Sequence, residues 1–205
     1  RKRRGERAET RGSRGAVQHA LHIAAPGELQ GTGCVLRVVD LGAGTSATHR
    51  ALAPHLPGAR WRLVDSDPAL LARAAAETGA ETLRADLSVD LESLLAGADL
   101  VTASALTDLA SPDWLARLAA ALPPGAALYA ALAYDGREDW RPADPAEAAA
   151  LDAFRSHMRG PKGLGAGPAA GPEATAVLAA RLAPRPLLIA PADWALAAPA
   201  DAPLI

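Results

Sequence analysis

Apolar positions along this chain fall into short runs whose period switches between two and about 3.6. "CVLRVVDLGAG" (Cys34 to Gly44) is rich in branched apolar residues and poor in polar ones, as expected of a strand buried on both faces of a parallel sheet. "ATHRALAPHLP" follows, with Leu52 and Leu56 four apart at helical spacing. "RWRLVDSDP" predicts a second strand, and "PALLARAAAETG" a helix opening on Pro68 and stopping at Gly79. "ETLRADL" is a weaker third strand, "SVDLESLLAG" a helical stretch and "ADLVTASAL" a fourth strand. "SPDWLARLAAALPPG" has a Ser111 N-cap and a Pro-Pro-Gly stop, and "AALYAALAYDG" makes a fifth strand. Strand and helix alternating at this spacing predict an α/β fold: a doubly wound, Rossmann-like, mostly parallel sheet with helices on both faces, a three-layer sandwich.

The pattern is thinner at both ends. "AVQHALHIAA" (Ala16 to Ala25) is expected to form a short helix ended by Pro26-Gly27. Beyond the fifth strand come a helix in "DPAEAAALDAFRSHMR", a Gly/Pro-rich loop "GPKGLGAGPAAGP", a helix in "EATAVLAARLA" and a sixth strand in "RPLLIAPADWAL". The chain then reaches "APADAPLI", with apolar residues at its end, where a seventh strand is expected to be cut off or degraded.

Composition bounds the classes. With 205 residues, half of them hydrophobic, the chain supports one ordinary core, read as a single domain over 16–205 behind a basic, disordered arm over 1–15. No apolar run approaches the roughly 20 residues of a membrane span. Cys34 is the only cysteine, which excludes an internal disulfide framework and any zinc site needing several thiolates, and fits a reducing, cytoplasmic setting. It is expected to be a buried, inert thiol. The arm "RKRRGERAETRGSRG" lacks the apolar segment of a secretory signal. Such an arm can touch nucleic acid or anionic lipid, but a solvated tail is the simpler reading. The full sequence carries a net charge of −2, and outside the arm it has no second basic run and few aromatics, which argues against a nucleic-acid-binding domain. His49, His55 and His157 show no metal-ligand spacing and are expected at the surface or in loops, so no metal is expected.

The first βα loop carries the chemistry. In doubly wound sheets ligands bind at the carboxyl ends of the strands, where strand order reverses. Gly42 and Gly44 allow a tight backbone there, and the following helix offers free N–H groups. Gly42, Gly44 and Ala47 fit a relaxed dinucleotide fingerprint, so a nicotinamide cofactor competes for this loop. Asp40, just before the first glycine, disfavours phosphates and suits a cationic ligand such as a sulfonium or ammonium.

The ordered series "VVDLGAGTS", "LVDSDP", "RADL" and "ADLVTASAL" resembles the class I S-adenosylmethionine-dependent methyltransferases, from about Val35 through Gly136. The resemblance implies S-adenosylmethionine as cofactor. It places Asp40, Gly42, Ala43, Gly44 and Thr45 near the methionine part, Asp65 and Ser66 at the ribose, Asp86 and Leu87 at the adenine, and Ala103 beside them. Two carboxylate oxygens suit two ribose hydroxyls. A position often Gly in that family is Ser46 here, whose hydroxyl is expected to remain able to bond the cofactor. Strand-end acids can also simply cap loops, and Asp86 in "ADL" can be an N-cap.

The fourth strand is followed by "TASAL" and not by the Asn/Asp-Pro-Pro-aromatic motif of enzymes that methylate base amines, and Cys34 lies before the first strand, away from any pyrimidine nucleophile's place. What remains is a small molecule, or a protein or RNA group reached without those motifs; a small-molecule acceptor is expected, lined by Ser104 and Asp108 on one side and Tyr134 and Asp135 on the other. Asp108 or Asp135 would orient or deprotonate it, with Tyr134 as a wall. Asp135-Gly136 is also a good turn by itself. The Gly-rich loop around Lys162 is either a lid or a flexible connection. Two other functions stay open at this level: an NAD(P)-dependent Rossmann-fold oxidoreductase, and a non-catalytic binding protein with the methyltransferase fold. The acceptor's identity and the oligomeric state are not written in the sequence.

Overall fold

In the computed structural model, residues 18–23, 35–138, 140–142 and 144–192 are described. Five adjacent parallel strands make up most of the sheet: β2 (Arg37–Leu41), β3 (Arg60–Asp65), β4 (Glu81–Arg84), β5 (Leu100–Thr102) and β6 (Ala127–Tyr134). With β1 (Gln18–Ile23) and β7 (Leu188–Pro191) the order is β4-β3-β2-β5-β6-β1-β7. Order reverses between β2 and β5, so the loop after β2 lies at the switch point.

Among the described residues, the strands are connected by helices α1 (Ala47–Leu52), α2 (Pro68–Thr78), α3 (Leu91–Leu95), α4 (Pro112–Ala121), α5 (Glu147–Met158) and α6 (Ala174–Leu182). Their ends follow local chemistry. Asp67 accepts from the N–H groups of Ala69 and Leu70 ahead of Pro68, and Gly79 closes α2 at φ +67°. Asp90 caps α3 and Ser111 caps α4 in the same way. The alternation of each strand divides the core into two layers. Val39, Leu41, Val64, Val101 and Leu128 pack with leucines of α3, α4 and α6, whereas Val38, Trp61, Leu63 and Leu100 face the α1–α2 side. This is the expected three-layer sandwich.

One expected element differs. Gln18–Ile23 is a strand, antiparallel to β6 on one side and to β7 on the other, and not a helix. A segment of that length has little helix stability in isolation, and here it covers the outer edge of β6 with backbone hydrogen bonds instead. The antiparallel strand beside the parallel series therefore precedes that series in the chain. The basic arm, Cys34 and any strand beyond Ala192 lie outside the described residues. Among the described residues no helix is long and apolar enough to cross a membrane.

Candidate functional site

Asp40 is the fourth residue of β2, in register with Thr102 of β5, so their side chains share one face of the sheet. The Thr102 hydroxyl donates to Asp40 Oδ1 at 2.6 Å. Asp40 is 1% exposed and its Oδ2 has no hydrogen-bond partner. Burial raises its pKa from the ordinary 3.8 to about 7; the Thr102 bond opposes the rise, and the negative charge of Asp65 adds to it.

The following loop turns on left-handed backbone at Gly42 (φ +65°), Gly44 (φ +52°) and Ser46 (φ +67°). A Cβ on Gly42 would press on Leu106, whereas the space around Gly44 is open. That makes Gly44 the place where a ligand can approach the backbone closely. Ser46 holds its left-handed conformation without glycine's freedom. Its hydroxyl donates to the Thr45 carbonyl and accepts from Arg50 Nη1 at 3.2 Å. The hydroxyl expected to face a cofactor is thus engaged within the loop.

Asp65 ends β3 and ties the two loops together. Its Oδ2 accepts the Gly44 N–H at 2.9 Å and its Oδ1 the Asp67 N–H at 3.0 Å. Each oxygen retains a further lone pair for a hydroxyl. The Ser66 carbonyl accepts from Arg84 Nε at 3.2 Å, and the Ala43 N–H is bonded to the Val64 carbonyl at 3.0 Å. Asp86, after β4, is exposed; Ser88 donates its N–H and its hydroxyl to one carboxylate oxygen, which lowers the Asp86 pKa. Leu87 belongs to the core, and its carbonyl accepts from Trp114 Nε1 at 2.7 Å. Ala103 is buried, with its N–H on the Tyr129 carbonyl. Asp40, the 42–46 loop, Asp65 and Asp86 therefore stand at the carboxyl ends of three adjacent strands.

On the other side of the switch point, Ser104 is half-buried and Asp108 is 6% exposed in a 3₁₀ turn, Thr107–Leu109. Burial raises the Asp108 pKa, opposed by backbone N–H groups of Asp108 itself and of Tyr134 at the end of β6; Oδ1 has no partner. The Tyr134 hydroxyl donates to Glu138, which Arg155 of α5 also holds at 3.1 Å. Desolvation and Glu138 push the Tyr134 pKa up to about 12. Phe154 of α5 meets the Tyr134 ring edge-on at 5.2 Å. Asp135 is occupied by the N–H and the guanidinium of Arg137 at 3.0 and 2.6 Å. Sequence spacing did not single out Thr102, Glu138, Arg155 or Ser88. Thr102 was the detectable one, a hydroxyl inside an otherwise apolar strand.

Other expected features resolve simply. The loop Gly160–Pro172 is docked, its Leu164 carbonyl accepting from Ser111 N–H at 2.9 Å and its Ala170 N–H donating to the Ala110 carbonyl at 2.7 Å. His157 is exposed on α5 and contacts Lys162. His49 lies on α1, half-buried, its ring edge on Trp61, and burial lowers its pKa. Hollows of about 190 and 350 Å³ open near Arg37 and His49, at the amino ends of the strands, away from the loop. Among the described residues no group of three His, Cys, Asp or Glu could hold a metal ion.

Comparison with family models and with curated proteins returned no match. Among solved structures, the chain is similar to the S-adenosylmethionine-dependent methyltransferase SibL in its apo form, at 28% identity and a TM-score of 0.44, over 60% of this chain and 37% of that one. It is similar to the mitomycin 7-O-methyltransferase MmcR at 21% identity and a TM-score of 0.49, over 77% and 48% of the two chains. The human N-acetylserotonin methyltransferase in complex with S-adenosylmethionine is 16% identical, with a TM-score of 0.45, over 71% and 41%. The chain thus spans less than half the length of each of these three solved chains.

Proposed function

We propose that this chain is an S-adenosylmethionine-dependent methyltransferase acting on a small-molecule acceptor. The observation that carries the reading is the pair of acids flanking the glycine loop: Asp40, buried with one oxygen unpartnered, and Asp65, fixed to the loop through the Gly44 N–H. A buried carboxylate oxygen without a donor is costly, and a cationic ligand at the loop would relieve it. A pyrophosphate would add a like charge at the same place.

The residues present fit the cofactor. Asp65 would accept from the two ribose hydroxyls on the lone pairs its backbone donors leave free, Asp86 would accept from the adenine amine, and Gly44 would let the methionine end lie against the backbone. Asp40 would supply negative charge to the cationic end. When bound, the cofactor supplies a methyl group made electrophilic by its positively charged sulfur. The chain's own task is to align an acceptor and exclude water. Ser104, Asp108, Tyr134 and Asp135 lie at or just beyond the ends of β5 and β6, where they would line a small acceptor.

The reading is tested by replacing Asp65. Asp65→Ala should weaken S-adenosylhomocysteine binding by roughly 1–3 kcal/mol, the cost of leaving hydroxyls unpaired. Glu92→Ala, an exposed position on α3, should leave affinity unchanged. Equal affinity of wild type and Asp65→Ala removes Asp65 from the site.

A further inference from the structure

The geometry points to Asp108 as the group that takes a proton from the methyl acceptor, and hence to a weakly acidic hydroxyl compound, a phenol or an enol, as the acceptor; this rests on the methyltransferase reading above. Of the four polar side chains at the ends of β5 and β6, the Ser104 hydroxyl is too weak a base to take a proton, and occupancy separates the other three. The Tyr134 hydroxyl already donates to Glu138. Both carboxylate oxygens of Asp135 accept from Arg137. Asp108 alone of the three keeps an oxygen with no donor, although the residue is 6% exposed. An unpartnered carboxylate oxygen at that depth is a persistent cost to the fold unless a ligand supplies the missing proton. The same burial makes the carboxylate a stronger base than one in water.

The chemistry narrows the acceptor. A neutral amine attacks with its own lone pair and makes little use of a buried base. An aliphatic alcohol is too weak an acid for a carboxylate, whereas a phenol or enol lies within reach of one. In the transfer, the acceptor oxygen forms a bond to the methyl carbon as the carbon–sulfur bond breaks. That bond's electron pair stays on sulfur, which becomes a neutral thioether, and the hydroxyl proton moves to Asp108 Oδ1. One positive and one negative charge are lost together, so the step balances.

The strap 160–172 packs against the turn that carries Asp108. Ala110 and Ser111, directly after the turn that carries Asp108, hold Leu164 and Ala170 of the strap by backbone hydrogen bonds. Gly165 (φ +89°) sits so close to Ser111 Oγ and Trp114 Cβ that no side chain fits between them.

The test uses a matched pair of probes, phenol and its methyl ether anisole, titrated calorimetrically into the full chain saturated with S-adenosylhomocysteine. Wild type is expected to bind phenol about tenfold more tightly than anisole, as one hydrogen bond to a charged acceptor allows. Asp108→Leu, which fills the same space without a polar atom, should lose that preference while S-adenosylhomocysteine affinity stays within about twofold, showing an intact fold. Equal binding of the two probes, binding of neither, or a preference that survives Asp108→Leu overturns the assignment. Absence of S-adenosylhomocysteine binding in wild type is a separate result, which removes the methyltransferase reading and this inference with it.

Discussion

At the residue scale, Asp40 sets a conflict between stability and binding. Its folded pKa, about 7, lies above the ordinary 3.8. The folded state therefore holds a proton that the unfolded state has released between those values, and the sign follows: stability falls as pH rises from about 4 to about 7 and is flat above. The shift corresponds to roughly 4 kcal/mol at most. Asp40→Asn removes the titration, so its melting temperature relative to wild type should climb across that window; parallel curves for the two proteins would contradict the burial account. Binding of a cationic ligand has the opposite dependence, because it favours the ionised form. S-adenosylmethionine affinity in wild type should rise by up to about tenfold per pH unit below pH 7 and level off above it, and the slope should disappear in Asp40→Asn.

At the element scale, strands and helices between Arg37 and Tyr134 were legible because each has its own punctuation. Pro68 and Gly79 bound α2, and Ser111 and Pro112 open α4. The glycine loop was legible for the same reason, its left-handed positions being written as glycines at two of three places. What was not legible depends on partners far away in the chain. Nothing local in Gln18–Ile23 indicates that β6 and β7 lie on either side of it. The engagement of Tyr134 by Glu138 and Arg155 needs α5 to fold back over the end of β6. The same holds for the buried bond from Trp114 of α4 to the Leu87 carbonyl, which pins the turn after β4 to the core. Trp114→Phe keeps most of the apolar volume but leaves that carbonyl unpaired. Denaturant unfolding should show a loss of about 1–3 kcal/mol, and an unchanged midpoint would show that water or a shifted donor takes the place of the indole.

At the scale of the whole molecule, four acids stand at the carboxyl end of the sheet. Asp40 lies at the penultimate position of β2, Asp65 ends β3 and Asp86 follows β4, three neighbouring strands, and Asp108 stands across the switch point. Two of these four, Asp40 and Asp108, are buried with an unpartnered oxygen. The fold carries these groups at a cost, consistent with a cationic ligand on one side and a proton-donating one on the other. The most direct measurement is calorimetric titration of the chain with S-adenosylmethionine, S-adenosylhomocysteine and NAD. The account predicts micromolar binding of both adenosyl compounds and none of NAD. Binding of NAD alone, or of none of the three, would contradict it.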